Sequence, residues 1–139
     1  MTDNCACNVY ELGGGLVTST ETCLLRRLDP ETLESSCKID LSSMVNIASA
    51  RALTDPKTKE VFNIAGTFLT GLKYHFVKFP PYKELQSEKE LLSNASIVAT
   101  IPSRMTTCFS YYHSFGLTEN YLIMIEQPWV MTFKVIYLD

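Results

Sequence analysis

The chain reads as an all-β protein built as an antiparallel meander. Short runs rich in β-branched and aromatic residues recur along it, clusters of Gly, Pro and Asp fall in the gaps, and no coiled-coil heptad interrupts the rhythm. At 139 residues, 46% hydrophobic and 19% charged, it has the composition of one globular domain.

The first two strands are expected at Cys5 to Leu12 and Leu16 to Thr20. Gly13-Gly14-Gly15 lies between them as a hairpin tip where positive φ is wanted. No helix follows these glycines, which removes a phosphate-cradling loop. Cys23 to Leu28 and Cys37 to Leu41 are the next strands, joined through the turn Asp29-Pro30-Glu31-Thr32-Leu33, in which Pro is preset for the second turn position. Asp55-Pro56-Lys57-Thr58-Lys59 repeats that logic before Val61 to Phe68, and Lys73 to Phe79 follows. Lys83 to Asn94 is charged and lacks β-branched residues, so it is expected as an exposed loop with one helical turn. Ser96 to Ile101, Tyr121 to Glu126 and Val130 to Leu138 complete the series, and Phe115, Trp129 and Phe133 are read as core. Periodicity alone leaves sandwich, barrel and propeller open.

A formal charge of −3 with scattered Lys and Arg argues against nucleic-acid binding. No apolar run approaches the roughly 20 residues that span a bilayer, and Met1-Thr2-Asp3-Asn4 has neither a basic nor an apolar leader region, so the expected compartment is the cytoplasm. Cys5, Cys7, Cys23, Cys37 and Cys108 lack zinc-site pairing and are read as reduced thiols, partly buried. Asn94-Ala95-Ser96 fits a glycosylation acceptor by chance.

The segment with the most chemical content is Tyr111-Tyr112-His113-Ser114-Phe115-Gly116-Leu117-Thr118-Glu119-Asn120-Tyr121, followed by Glu126-Gln127-Pro128. It resembles a metal-ligand segment of the carotenoid cleavage oxygenases. The likeness extends upstream through Thr20-Glu21-Thr22, Arg27 to Glu34, Lys38-Ile39-Asp40-Leu41, Val45-Asn46, Phe62-Asn63 and Lys78-Phe79-Pro80-Pro81. Ile101-Pro102-Ser103-Arg104 is most similar to the animal β-carotene-cleaving branch.

That resemblance implies a seven-bladed β-propeller, of which residues 1–139 are an incomplete domain of roughly two blades. It implies a ferrous ion, Fe(2+), held by four histidines with carboxylates outside them, and oxidative cleavage of a carotenoid C=C bond by dioxygen. Some relatives isomerise retinyl esters instead, so the ligand class is a carotenoid or retinoid. On the resemblance, His113 matches a ligand histidine and Glu21 an outer carboxylate that accepts the other ring N–H. Arg51, in Ala48-Ser49-Ala50-Arg51-Ala52-Leu53, stands where another ligand histidine is expected. A guanidinium has no lone pair for a metal and repels a divalent cation. By this count one ligand of four survives, so the isolated chain is expected to bind iron poorly and to be inactive. Tyr111 and Tyr112 are candidate walls of a polyene tunnel. His75 falls where the family shows a variable strand residue and reads as an ordinary strand histidine. Two further readings are a catalytically dead carotenoid- or partner-binding truncated paralogue and a gene-model remnant without function. Open blade edges predict marginal stability or self-association.

Overall fold

The computed structural model describes residues 7–69, 71–82 and 84–132. The first sheet is a four-stranded antiparallel meander of β1 (Asn8–Leu12), β2 (Gly15–Ser19), β3 (Leu24–Leu28) and β4 (Ser35–Asp40), paired in chain order. The β1–β2 connection is a two-residue hairpin with Leu12 opposite Gly15, and Gly13 and Gly14 take φ of 57° and 72°. Only glycine adopts two successive positive φ values without strain, which explains the glycine run.

The turns at Asp29 and Asp55 are built alike. In each, the aspartate Oδ1 accepts backbone N–H groups two and three residues on, at 2.9 and 2.8 Å from Glu31 and Thr32, and at 2.7 and 3.1 Å from Lys57 and Thr58. Leu33 and Lys59 close the turns at positive φ, 59° and 62°. The backbone hydrogen bonds hold both carboxyls below their ordinary range.

The second sheet contains β5 (Ile47–Ala48), β6 (Leu53–Thr54), β7 (Val61–Thr67), β8 (Lys73–Phe79) and β9 (Ser96–Pro102), in the order β5-β7-β8-β9 with β6 also pairing β7. Both faces of its central strands, β7 and β8, are covered. Val61, Ala65, Val77 and Phe79 join Val17, Leu25, Ile39, Leu41 and Val45 in a core between the two sheets. Ile64, Tyr74 and Phe76 point the other way and pack with Phe109 and Tyr112. This two-sided packing accounts for near-continuous burial along β7 and β8, where β1 alternates. Gly66 admits the ring of Phe109, since a Cβ there would lie 2.2 Å from Phe109 Cζ. The architecture is that of a partial β-propeller: two antiparallel meanders stacked face to face, with the aromatic layer of residues 109–131 on the far side of the second.

Two short pairs complete the described fold, β10 (Cys108–Ser110) with β13 (Val130–Thr132) and β11 (Gly116–Leu117) with β12 (Leu122–Ile123). The strand expected over Tyr121 to Glu126 is thus only two residues long, and β5, β6, β10 and β11 are additional. Expectations at Cys5 and from Phe133 to Leu138 lie outside the described residues.

The expected loop at Lys83 to Asn94 contains α1 (Glu88–Asn94). Ser87 Oγ accepts from the Glu90 N–H while the Glu90 carboxylate accepts from the Ser87 N–H, a capping box that starts the helix; Leu91 buries fully. Trp129, expected in the core, is 71% exposed, because its ring lies on the outer side of Tyr111, 5.4 Å between centroids. Phe115 does pack, edge-on against Phe76 at 5.4 Å.

Candidate functional site

Three connections converge at one end of the sheets: the β2–β3 loop with Glu21, the segment after β5 with Ser49 and Arg51, and the segment after β10 with Tyr111 and His113. They lie 28 to 92 residues apart in sequence, measured from Glu21 to Ser49 and from Glu21 to His113. The sheets bring them together.

Ser49, 1% exposed, is the joint. Its N–H donates to the Ile64 carbonyl at 2.9 Å, its own carbonyl accepts from Asn63 Nδ2 at 2.8 Å, and its Oγ donates to the His113 carbonyl at 2.5 Å while accepting from the Arg51 N–H at 3.0 Å. Ala50 ties the same segment to the first sheet, since its carbonyl accepts from Asn8 Nδ2 at 2.9 Å and Ser19 Oγ at 3.1 Å. Nothing in the sequence singled out Ser49. A buried serine carries no pattern until its partners are known.

On this joint, a line of polar groups runs through one imidazole. Tyr111 Oη donates to the Glu21 carboxylate, 2.7 Å from each oxygen. His113 Nδ1 lies 2.7 Å from Glu21 Oε1 and 3.1 Å from Tyr111 Oη. On the opposite ring edge, Arg51 Nε–H points at His113 Nε2 from 3.1 Å. Arginine can only donate, so Nε2 must present its lone pair and the ring proton sits on Nδ1, facing Glu21. The tautomer follows from the network. Burial, together with the hydrogen bond and negative charge of Glu21, pushes the Tyr111 hydroxyl up to about 12, so it remains a donor.

Four of the sequence-predicted residues, Glu21, Arg51, Tyr111 and His113, therefore meet. Tyr112 faces the other way, buried in the aromatic layer with its hydroxyl donating to the Ile47 carbonyl at 3.1 Å. His75 is remote from this group; its ring nitrogens lie 2.9 Å from the hydroxyls of Thr67 and Thr100.

The residues present do not fit a divalent metal. The one lone pair that His113 could offer faces a guanidinium, and the Glu21 oxygens are taken up by Tyr111 and the imidazole. No three His, Cys, Asp or Glu side chains converge among the described residues. A concavity of about 720 Å³ lies at the other end of β2 and is lined by Leu12, Gly14, Pro30, Lys59, Pro80 and Tyr82 among others. None of the sequence-predicted site residues borders it. The side-chain constellation, not the volume, marks the candidate site. Cys7, Cys23, Cys37 and Cys108 are free thiols; Cys23 and Cys108 are half-buried and the other two exposed. No helix among the described residues is long and apolar enough to cross a membrane.

The family model described as retinal pigment epithelial membrane protein matches residues 1–137. The chain is 36% identical over 132 residues to a chicken (Gallus gallus) β,β-carotene 15,15'-dioxygenase, covering 91% of this chain and 25% of that protein. It is 37% identical over 134 residues to the rat (Rattus norvegicus) protein of the same name, covering 91% and 23%. A ferret (Mustela putorius furo) protein named carotenoid-cleaving dioxygenase, mitochondrial, is 38% identical over 131 residues, covering 92% and 24%. The chain thus spans about a quarter of the length of these relatives.

Proposed function

From the premise that this chain belongs to the retinal pigment epithelial membrane protein family, which holds the carotenoid dioxygenases, we propose that it is a two-blade segment of a carotenoid cleavage dioxygenase. On this reading the complete protein uses Fe(2+) and dioxygen to cleave a C=C bond of a β-carotene-type substrate. The isolated segment is catalytically inactive and keeps at most the capacity to hold a carotenoid or retinoid. The observation that carries the reading is His113, with Nδ1 2.7 Å from Glu21 and Nε2 turned to Arg51. Glu21 holds the imidazole in one orientation, as an outer carboxylate holds a ligand histidine, and the ring edge that a metal would need is occupied.

The surface assigned to the polyene is the aromatic one beside this group. Tyr111 and the exposed Trp129 form a pair 5.4 Å apart, flat apolar walls of the kind a conjugated chain stacks on. The free thiols fit a reducing compartment such as the cytoplasm. The edge strand β9, with Ile97, Val98 and Ile101 about two-fifths exposed and no charge in the strand, is the edge through which self-association is assigned.

Incubating the purified chain with β-carotene, ferrous iron and dioxygen tests the reading. No aldehyde or ketone product is expected by chromatography, while the carotenoid absorption band shifts on mixing. Product formation that depends on His113 overturns the inactivity, and an unshifted band at high protein concentration overturns the binding.

A further inference from the structure

We propose that Arg51 is a tethered substitute for a metal cation at His113, its guanidinium completing the Tyr111–Glu21–His113 line so that the group is held in order without any ion. The inference deepens the reading of His113 as a ligand position and rests on it for that identification. Its geometric basis is independent.

A metal at an imidazole does two physical things: it engages the Nε2 lone pair, and it supplies positive charge that balances a carboxylate on the far ring edge. Arg51 does both. Its Nε–H engages Nε2 at 3.1 Å, and its charge lies across the ring from Glu21, which accepts at Nδ1 from 2.7 Å. The arrangement is also pre-set from behind. Ser49 Oγ bonds the Arg51 backbone N–H at 3.0 Å and the His113 carbonyl at 2.5 Å, so one buried hydroxyl fixes both chains at the point where their side chains meet. Arg51 faces no other side-chain hydrogen-bond or ion-pair partner among the described residues. Two like charges cannot share one lone pair: a divalent ion and a guanidinium brought to the same nitrogen repel. Arg51 is thus a positioning residue that orders His113 and denies it to metals.

The test uses the full chain with cobalt(II) chloride as the probe, following the His113 side-chain nitrogens and the backbone amides by NMR. In the wild type, His113 is expected as a single tautomer with the proton on Nδ1, the Arg51 Nε–H protected from exchange, and no cobalt-dependent broadening. Arg51→Ala should free Nε2, so that cobalt broadens the His113 signals with an apparent affinity roughly tenfold or more above wild type. Arg51→Lys, which keeps a cationic donor, should restore the exclusion. If Arg51→Ala fails to fold, Arg51→Gln removes the charge at similar length and takes its place. Equal cobalt uptake by wild type and variant overturns the substitution while leaving His113 a ligand position. Absence of uptake by both overturns the substitution and the ligand reading together.

Discussion

The chain has two histidines, and their surroundings could hardly differ more. His75 lies on β8, 7% exposed, with its ring nitrogens answered by two neutral hydroxyls, Thr67 on the strand before and Thr100 directly across on the strand after. His113 lies on an irregular segment with its side chain 47% exposed, between a carboxylate and a guanidinium. The first is placed by the sheet it belongs to, and its partners saturate it. The second is placed by three connections that meet only when both sheets have formed, and its partners are charged. A histidine within a ladder of strands contributes to stability. A histidine at the junction of connections is held by charged partners, and its cost to the fold is small because water reaches it.

Substitutions at the two positions should therefore separate stability from site order. The largest effect is expected from His75→Ala, which leaves Thr67 without its ring partner and opens space beside β7; a loss of about 2 to 3 kcal/mol is expected in denaturant unfolding. His113→Ala should cost well under 1 kcal/mol in the same assay, and a comparable loss at both positions would break the comparison.

Ser49→Ala comes next. It deletes two side-chain hydrogen bonds at a buried position, so a loss of about 1 to 2 kcal/mol is expected. Hydrogen exchange should show Arg51 and His113 loosened while β7 and β8 keep their protection. Uniform loosening would mean that Ser49 supports the sheet rather than the junction.

Acidification should find His75. Burial, and then the nearby charge of Lys73, lower its proton affinity in the fold. The unfolded chain takes up that proton near pH 6.5 and the folded chain only at lower pH, so stability present above about pH 6.5 is lost as the pH falls from that value through the lower one of the folded chain. Asp29 and Asp55, whose carboxyls are depressed, act in a lower window, losing their contribution as the pH falls below the usual aspartate value of about 4. An unfolding midpoint that still falls near pH 6.5 in His75→Gln would assign the effect elsewhere.

The smallest change in stability is expected from Glu21→Gln, which removes one half-exposed charge. Its signature is spectroscopic. Tyr111, pushed to about 12 by burial and by Glu21, should titrate at lower pH but stay above the usual value near 10, because burial remains. Phenolate absorbance reads this, and an unmoved titration would sever Tyr111 from Glu21.

The sheet strands of the first 102 residues were largely legible from turn chemistry. Lys73 to Phe79 was bounded as the structure has it, and Asp29 and Asp55 announced their turns because an aspartate two residues before a backbone N–H closes an Asx turn wherever it falls. The helix at Glu88 was readable too, since Ser87 and Glu90 stand at capping-box spacing, but its charged surface masked the signal. Strands of two residues such as Ile47–Ala48 carry no periodicity at all. Trp129 misled because an aromatic is expected inside, and here its partner is a site tyrosine at the surface. At the candidate site, Glu21, Arg51 and His113 came from resemblance to a family; local spacing cannot bring together residues 62 and 92 apart. That Arg51 turns its Nε to the imidazole was not readable from either.

β9 has a consequence for anyone who makes this chain. Seven residues without a charge, exposed on both sides and paired along one flank to β8, form a template whose outer row of amides is ready for the next extended chain to arrive. On a ribosome the strand emerges after β8 and is complete well before the aromatic layer, so it waits bare while synthesis continues. Yield will then depend on how fast something covers that flank relative to how often two chains collide. Dilution, a lower growth temperature or a single lysine at Val98 should each raise the soluble fraction, by slowing encounters or by spoiling the fit between neighbours.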